Sequence, residues 1–215
     1  MVKKIIAAFK THFDYGYTDL AVNVLQHYCT DMLDNALDIC EKSKQYGSSL
    51  VYRWTLPAYL LMKMYERADA KQKERIYAFV QNDQIFCHAL PFTMHTPLLN
   101  ERLLEEMFMY TDEYVKVFDK PFPISAKMTD VPGHSSAIIK PLTKRGVRFL
   151  HLGKNPASIK PNVPEIFWWE DLEGNRILTM YSLDYGSAIK PPQGWKYPVW
   201  LAMLHTRDNG GGQDI

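Results

Sequence analysis

The chain has 215 residues, 47% of them hydrophobic and 23% charged, with a formal net charge of +1. That length and apolar content suffice for one sizeable core and exclude a disordered chain, while 25 basic against 24 acidic residues leave no basic face for nucleic acid. Three scattered cysteines without a C-x-x-C pair exclude a zinc knuckle and a disulfide framework, and no apolar window approaches transmembrane length, so a cytoplasmic protein with no membrane partner is expected.

The first element is the apolar run Ile5-Ile6-Ala7-Ala8-Phe9, read as a buried strand. It leads directly into Lys10-Thr11-His12-Phe13-Asp14-Tyr15-Gly16-Tyr17. Residues two apart on an extended chain point the same way, so His12 and Asp14 can reach one ion together. Gly16 permits a sharp turn, and Thr18-Asp19 suits a helix start. Taken alone, the pair reads as readily as a His and an Asp that cap a turn. A helix is predicted over 19–44, with Leu20, Val24, Leu25, Tyr28, Met32, Ala36 and Cys40 on one face. A strand over 49–54, helices over 57–66 and 69–80, and a strand over 85–90 follow. Asn100 is placed as the cap of a helix whose apolar stripe is Leu103, Leu104, Met107, Tyr114 and Phe118.

Next come a strand over 124–130, a helix over 136–145 and a strand over 147–152. The rhythm then changes: 166–169 and 177–181 flank Glu173-Gly174-Asn175, a hairpin signature. After a Pro-rich loop the chain closes with a helix or strand through Trp200 and the run Gly210-Gly211-Gly212. Strands alternating with helices predict an α/β fold, a parallel sheet with crossover helices of the (β/α)7–8 barrel type. Such barrels take about 250 residues, so the barrel is expected to be incomplete in this chain.

Three strand ends carry the chemistry. His12 and Asp14 end the first. Asp130 ends a later one in Met128-Thr129-Asp130-Val131-Pro132-Gly133-His134-Ser135, where barrel enzymes keep their reactive groups, although an isolated D-x-P-G more often starts a turn. Asp208, in His205-Thr206-Arg207-Asp208-Asn209-Gly210-Gly211-Gly212, is either a carboxylate held against a ligand or part of a flexible tail. A histidine and carboxylates around one cavity suit zinc with an open position, and paired carboxylates are what glycoside hydrolysis requires. His27, His88, His95 and His151 read as core or surface histidines, and Trp54, Trp168 and Trp169 as packing before sugar platforms.

With these residues in view the chain resembles glycoside hydrolase family 38, the zinc-dependent retaining α-mannosidases, in a bacterial and fungal branch of that superfamily. The family's H-x-D-x-G-aromatic motif is matched by His12, Asp14, Gly16 and Tyr17, and its D-x-x-G-H-S motif by Asp130, Gly133, His134 and Ser135. A glycine-rich family segment is similar to Asp208-Asn209-Gly210-Gly211-Gly212, and Tyr181-Ser182-Leu183-Asp184-Tyr185-Gly186 resembles a segment lining the sugar subsite. The resemblance implies that residues 1–215 are the N-terminal part of the catalytic barrel, without the helical and β-sandwich domains that follow it in the family.

It further implies a carbohydrate substrate and Zn2+ held by His12, Asp14 and Asp130, with a fourth histidine ligand beyond residue 215. Asp130 would also be the nucleophile and Asp208 the general acid/base, while Tyr17 and Asp184 would contact the sugar. Tyr17 stands where tryptophan is usual, and Val131-Pro132 stand where Pro-Phe is usual. Two other readings remain: a metal-dependent carbohydrate deacetylase, whose barrel also uses His and Asp at strand ends, and a non-catalytic truncated barrel that at most binds a carbohydrate.

Overall fold

Residues 2–182, 185 and 198–205 are described by a computed structural model, 200–205 through their backbone alone. The elements run β1 (Lys4–Lys10), α1 (Ala21–His27), α2 (Leu33–Ser43), β2 (Trp54–Pro57), α3 (Ala58–Arg67), α4 (Ala70–Gln81), β3 (Ile85–His88), α5 (Glu101–Glu106), α6 (Met109–Phe118), β4 (Ser125–Val131), α7 (Ile139–Lys144), β5 (Phe149–Lys154), β6 (Ile166–Glu170), β7 (Arg176–Ser182) and β8 (Val199–His205). They build two four-stranded sheets, ordered β3-β2-β1-β8 and β4-β5-β7-β6. β1 is parallel to both of its neighbours. β4, β5 and β7 are parallel, and β6 is antiparallel to β7 across the hairpin. Parallel strands joined by helices are the α/β architecture anticipated from the sequence.

The chain divides into two compact units, one formed by Met1–Leu56, Leu60–Cys87 and β8, the other by Pro57–Tyr59 with 88–185. In the first, Val24, Leu25, Leu33, Leu37, Cys40, Trp54, Leu56, Ile76, Phe79, Val80 and Ile85 are buried. The helix expected over 19–44 is interrupted by a π-helical turn at Tyr28–Met32. The turn inserts one residue, so the buried stripe passes from Tyr28 to Leu33 and Leu37, while Met32 is only half-buried and Leu20 is exposed. α4 opens on a capping box: the Asp69 carboxylate accepts from the Gln72 N–H at 2.7 Å and the Gln72 amide oxygen from the Asp69 N–H at 3.1 Å. Its outer side reaches α2 through Gln72 to Asp34 and Arg75 to Asp38, at 2.7 and 2.8 Å.

The strand expected over 49–54 begins instead at Trp54, because Leu50 lies exposed in a turn after Gly47 and only the stretch from Trp54 onward has a core to enter. The helix placed after Asn100 is two helices, α5 and α6, broken around Met107 and Phe108, both of which are buried. Asn100 caps the first as expected, accepting from the Leu103 N–H at 3.0 Å. The core of the second unit gathers Phe108, Ala126, Met128, Ile138, Ile139, Leu142, Leu150, Leu152, Ile177 and Tyr181 between sheet and helices. The last strand, β8, occupies the segment left open between helix and strand, and pairs with β1 along seven positions from Lys4↔Val199 to Lys10↔His205. Among the described residues no helix is long and apolar enough to cross a membrane.

Candidate metal centre and carboxylate site

β1 delivers its end residues from inside the protein. Lys10, Thr11, His12 and Phe13 are all buried. The Thr11 N–H continues the ladder to the Thr55 carbonyl at 3.2 Å, and the Thr11 hydroxyl accepts from the Trp54 indole N–H at 2.7 Å. The Tyr28 hydroxyl donates to the His12 carbonyl at 3.2 Å. Phe13 packs edge-on against the Tyr28 ring, with centroids 5.0 Å apart. Phe13 stands between His12 and Asp14, anchored in the core beyond the end of β1. The chain then turns at Gly16, whose φ of +111° lies in the left-handed region that side chains disfavour. Tyr17 sits in this turn and is 85% exposed.

β4 ends differently. Its pairing with β5 is regular from Ser125↔Phe149 to Thr129↔Gly153, then shifts so that Val131 faces Lys154. Asp130 is the extra residue and has a φ of +71°. In an unbroken strand it would follow Ala126 and Met128 towards the hydrophobic core; the bulge re-aims it. Two donors from the ends of the neighbouring parallel strands meet its carboxylate. The Asn155 amide donates to Oδ1 at 2.7 Å, and the Tyr185 hydroxyl donates to the same oxygen at 2.5 Å. Asn155 was not singled out from the sequence, although it directly follows a strand end; Tyr185 lies after β7 in the segment that resembles the family's sugar-subsite lining, with no role of its own assigned there.

The loop after Asp130 is organised around Thr96, whose hydroxyl accepts from the Ser135 N–H at 2.8 Å and lies 3.5 Å from His134 Nδ1. His134 Nε2 is buried and has no hydrogen-bond partner among the described residues. Burial, with a smaller contribution from nearby His95, lowers the His134 pKa from 6.5 to about 4, so the ring is neutral at ordinary pH. Two other strand histidines have structural partners: His88 Nδ1 accepts from the Leu90 N–H at 3.2 Å, and His151 Nε2 lies 2.9 Å from the Ser182 hydroxyl. All three cysteines are buried and unbridged.

Within the first unit His12 and Asp14 each offer one ligand atom, and the two atoms lie within 4.8 Å of one another; Asp130 stands at the end of β4 in the second unit. One imidazole and two carboxylates form a donor set suited to a borderline divalent cation such as zinc. Asp184 and Asp208 lie outside the described residues.

The family model for the glycosyl hydrolases family 38 N-terminal domain matches residues 3–207. No curated protein matches the chain. Among solved structures, an α-mannosidase from Enterococcus faecalis is similar with a TM-score of 0.75 at 15% identity, over 98% of this chain and 26% of that one. A second Enterococcus faecalis protein, of glycosyl hydrolase family 38, is similar with a TM-score of 0.68 at 11% identity, over 96% and 24% of the two chains. The 4-α-glucanotransferase from Thermococcus litoralis shares the fold more distantly, with a TM-score of 0.54 at 12% identity over 85% of this chain and 28% of that one. The chain thus spans about a quarter of the length of these structures. With the matched domain running through nearly all of its residues, the chain belongs to the glycosyl hydrolases family 38 N-terminal domain family.

Proposed function

We propose that the protein is a glycoside hydrolase acting on α-mannosides or related glycosides, with retention of anomeric configuration and with zinc as its resident ion. The observation that carries this reading is the pair of ligand atoms that His12 and Asp14 bring within 4.8 Å of one another in a chain of family 38, whose second motif supplies Asp130. Bound by these three residues, zinc would supply Lewis acidity and a template for adjacent sugar hydroxyls.

The work of the chain's own residues follows from carboxylate chemistry. An Asp130 oxygen attacks the anomeric carbon, forming a glycosyl ester as the glycosidic bond breaks. Asp208 gives its proton to the departing oxygen. In the second step Asp208 takes a proton from water, whose oxygen displaces Asp130 and restores the carboxylate. Retention requires the two carboxyl groups about 5–5.5 Å apart. Tyr17 and Asp184 contact the sugar, and Val131-Pro132, lacking the family's usual aromatic residue, leave that wall of the subsite less apolar.

The test uses the intact native protein and an aryl α-mannoside, with product configuration followed by NMR. The expected result is release of the α-anomer first, activity lost on chelation and regained with zinc, and none after Asp130→Ala. Undiminished turnover by Asp130→Ala, or acetate released from an acetylated sugar in place of reducing sugar, would overturn the assignment.

A further inference from the structure

Asp130 Oδ1 accepts two hydrogen bonds from side chains whose placement the fold prepares in advance. The strands β4, β5 and β7 lie side by side and parallel, so their C-terminal ends open on the same edge of the sheet. Asp130 comes from the first, Asn155 from the residue just after the second, and Tyr185 from three residues beyond the third. The orientation of the Asn155 amide is fixed independently: its Oδ1 accepts from the Ala157 N–H at 2.9 Å, which turns Nδ2 towards Asp130. The loop that carries it is tied down by Lys154 Nζ, which donates to the carbonyls of Asn155, Pro156 and Ser158 at 3.0, 2.8 and 2.8 Å. The donor is held ready whether or not the carboxylate is charged.

Donors of this kind discriminate between the two covalent states of their acceptor. Hydrogen bonds to a charged carboxylate are roughly twice as strong as those to a neutral carbonyl. When Asp130 attacks through one oxygen and becomes an ester, Oδ1 is the carbonyl oxygen and both bonds weaken. When water displaces Asp130, the C–O bond to the sugar breaks and its electron pair returns to the carboxylate, so both bonds strengthen as the second step proceeds. We propose that Asn155 and Tyr185 are positioning residues that act through Asp130 to speed its departure from the sugar, making release of the glycosyl ester their principal target. The inference rests on the reading of Asp130 as the nucleophile of a retaining glycosidase. It assigns to Asn155, outside the sequence motifs, and to Tyr185, within the segment likened to the sugar-subsite lining, a role in the second step more than in the first.

The experiment uses the intact native protein with dinitrophenyl α-mannoside, whose good leaving group makes the first step fast. Tyr185→Phe keeps the ring and removes only the donor; Asn155→Asp keeps an acceptor for the Ala157 N–H and removes the other donor. Each is expected to lower kcat by roughly 10- to 100-fold, as the loss of a hydrogen bond to a charged group implies. KM should fall in step so that kcat/KM changes little, because the ester accumulates. Intact-mass spectrometry should then show one hexose residue attached, and peptide mapping should place it on Asp130. A fall in kcat/KM equal to that in kcat, with KM unchanged and no adduct in either variant while Asp130→Ala abolishes turnover, would overturn this inference and leave the glycosidase reading standing. Full turnover by Asp130→Ala would remove the reading and the inference together.

Discussion

Just beyond β1, His12 and Asp14 bring their ligand atoms within 4.8 Å of one another, with Phe13 between them sunk against the Tyr28 ring. The end of β4 abandons alternation at Asp130, bends its backbone to a φ of +71°, and holds the carboxylate with side chains from two neighbouring strands. One end is rigid because it is buried and bonded through the ladder. The other is aimed by a local distortion that its surroundings stabilise, a pattern expected where a strand end must present a reactive group. Changes at the first end should therefore act through burial and backbone pairing, and changes around the second through titration and backbone conformation.

The largest such effect is expected in the loop that follows Asp130. The neutral His134 ring has a pKa of about 4 against 6.5 when unfolded, so the unfolded chain binds its proton more tightly. Stability from the buried neutral ring is complete above pH 6.5 and is lost as pH falls towards 4, by about 3 kcal/mol across the window. Urea midpoints measured between pH 7 and 4.5 should fall markedly for the native chain and less for His134→Gln. Equal slopes for the two would mean that other groups govern acid lability. At the β1 end the corresponding test is Thr11→Val, which removes the acceptor of the Trp54 indole N–H while keeping the shape. An orphaned buried donor costs about 1–3 kcal/mol. That loss should be independent of pH over the same window, and a pH-dependent loss would contradict the contrast between the two ends.

The same contrast explains how far the sequence could be read. Strand alternation is a local rule, so His12-x-Asp14 after five apolar residues declares both the strand and the shared direction of its polar pair. Asn100 as a cap and the extents of α3 and α4 were legible for the same reason, each being a signal within one element. The π-helical turn at Tyr28–Met32 was not, because a stripe through Met32 and a stripe through Leu33 fit the same residues until burial in the core chooses between them. The late start of β2 follows similarly: Leu50 and Val51 have strand propensity, but only Trp54 and Leu56 meet a core. At the carboxylate, Asp130 was visible as a strand-end residue, whereas its bulge was not. The donors Asn155 and Tyr185 are 25 and 55 residues away in sequence, and only the order of parallel strands brings them to it. Local chemistry was readable; chemistry assembled across strands required the topology.

The smallest expected effect isolates the backbone itself. At an ordinary extended position alanine is the more stable replacement, since glycine gives up more conformational freedom on folding, by roughly 0.5–1 kcal/mol. At a left-handed position the order reverses, because a Cβ there meets the carbonyl oxygen at a cost of roughly 1–2 kcal/mol. Asp14 has no positive φ and Asp130 has one of +71°. Both Asp→Ala and Asp→Gly delete the carboxylate at each site, so the loss of its partners cancels in the difference between the two variants. Asp130→Gly should therefore be more stable than Asp130→Ala by about 1 kcal/mol, and Asp14→Gly less stable than Asp14→Ala by a similar amount. Thermal or urea unfolding of the four variants decides it. Opposite signs at the two sites would establish that β4, and not β1, stores backbone strain at its carboxylate; the same sign at both would place the bulge among ordinary turns and detach it from the aiming of Asp130.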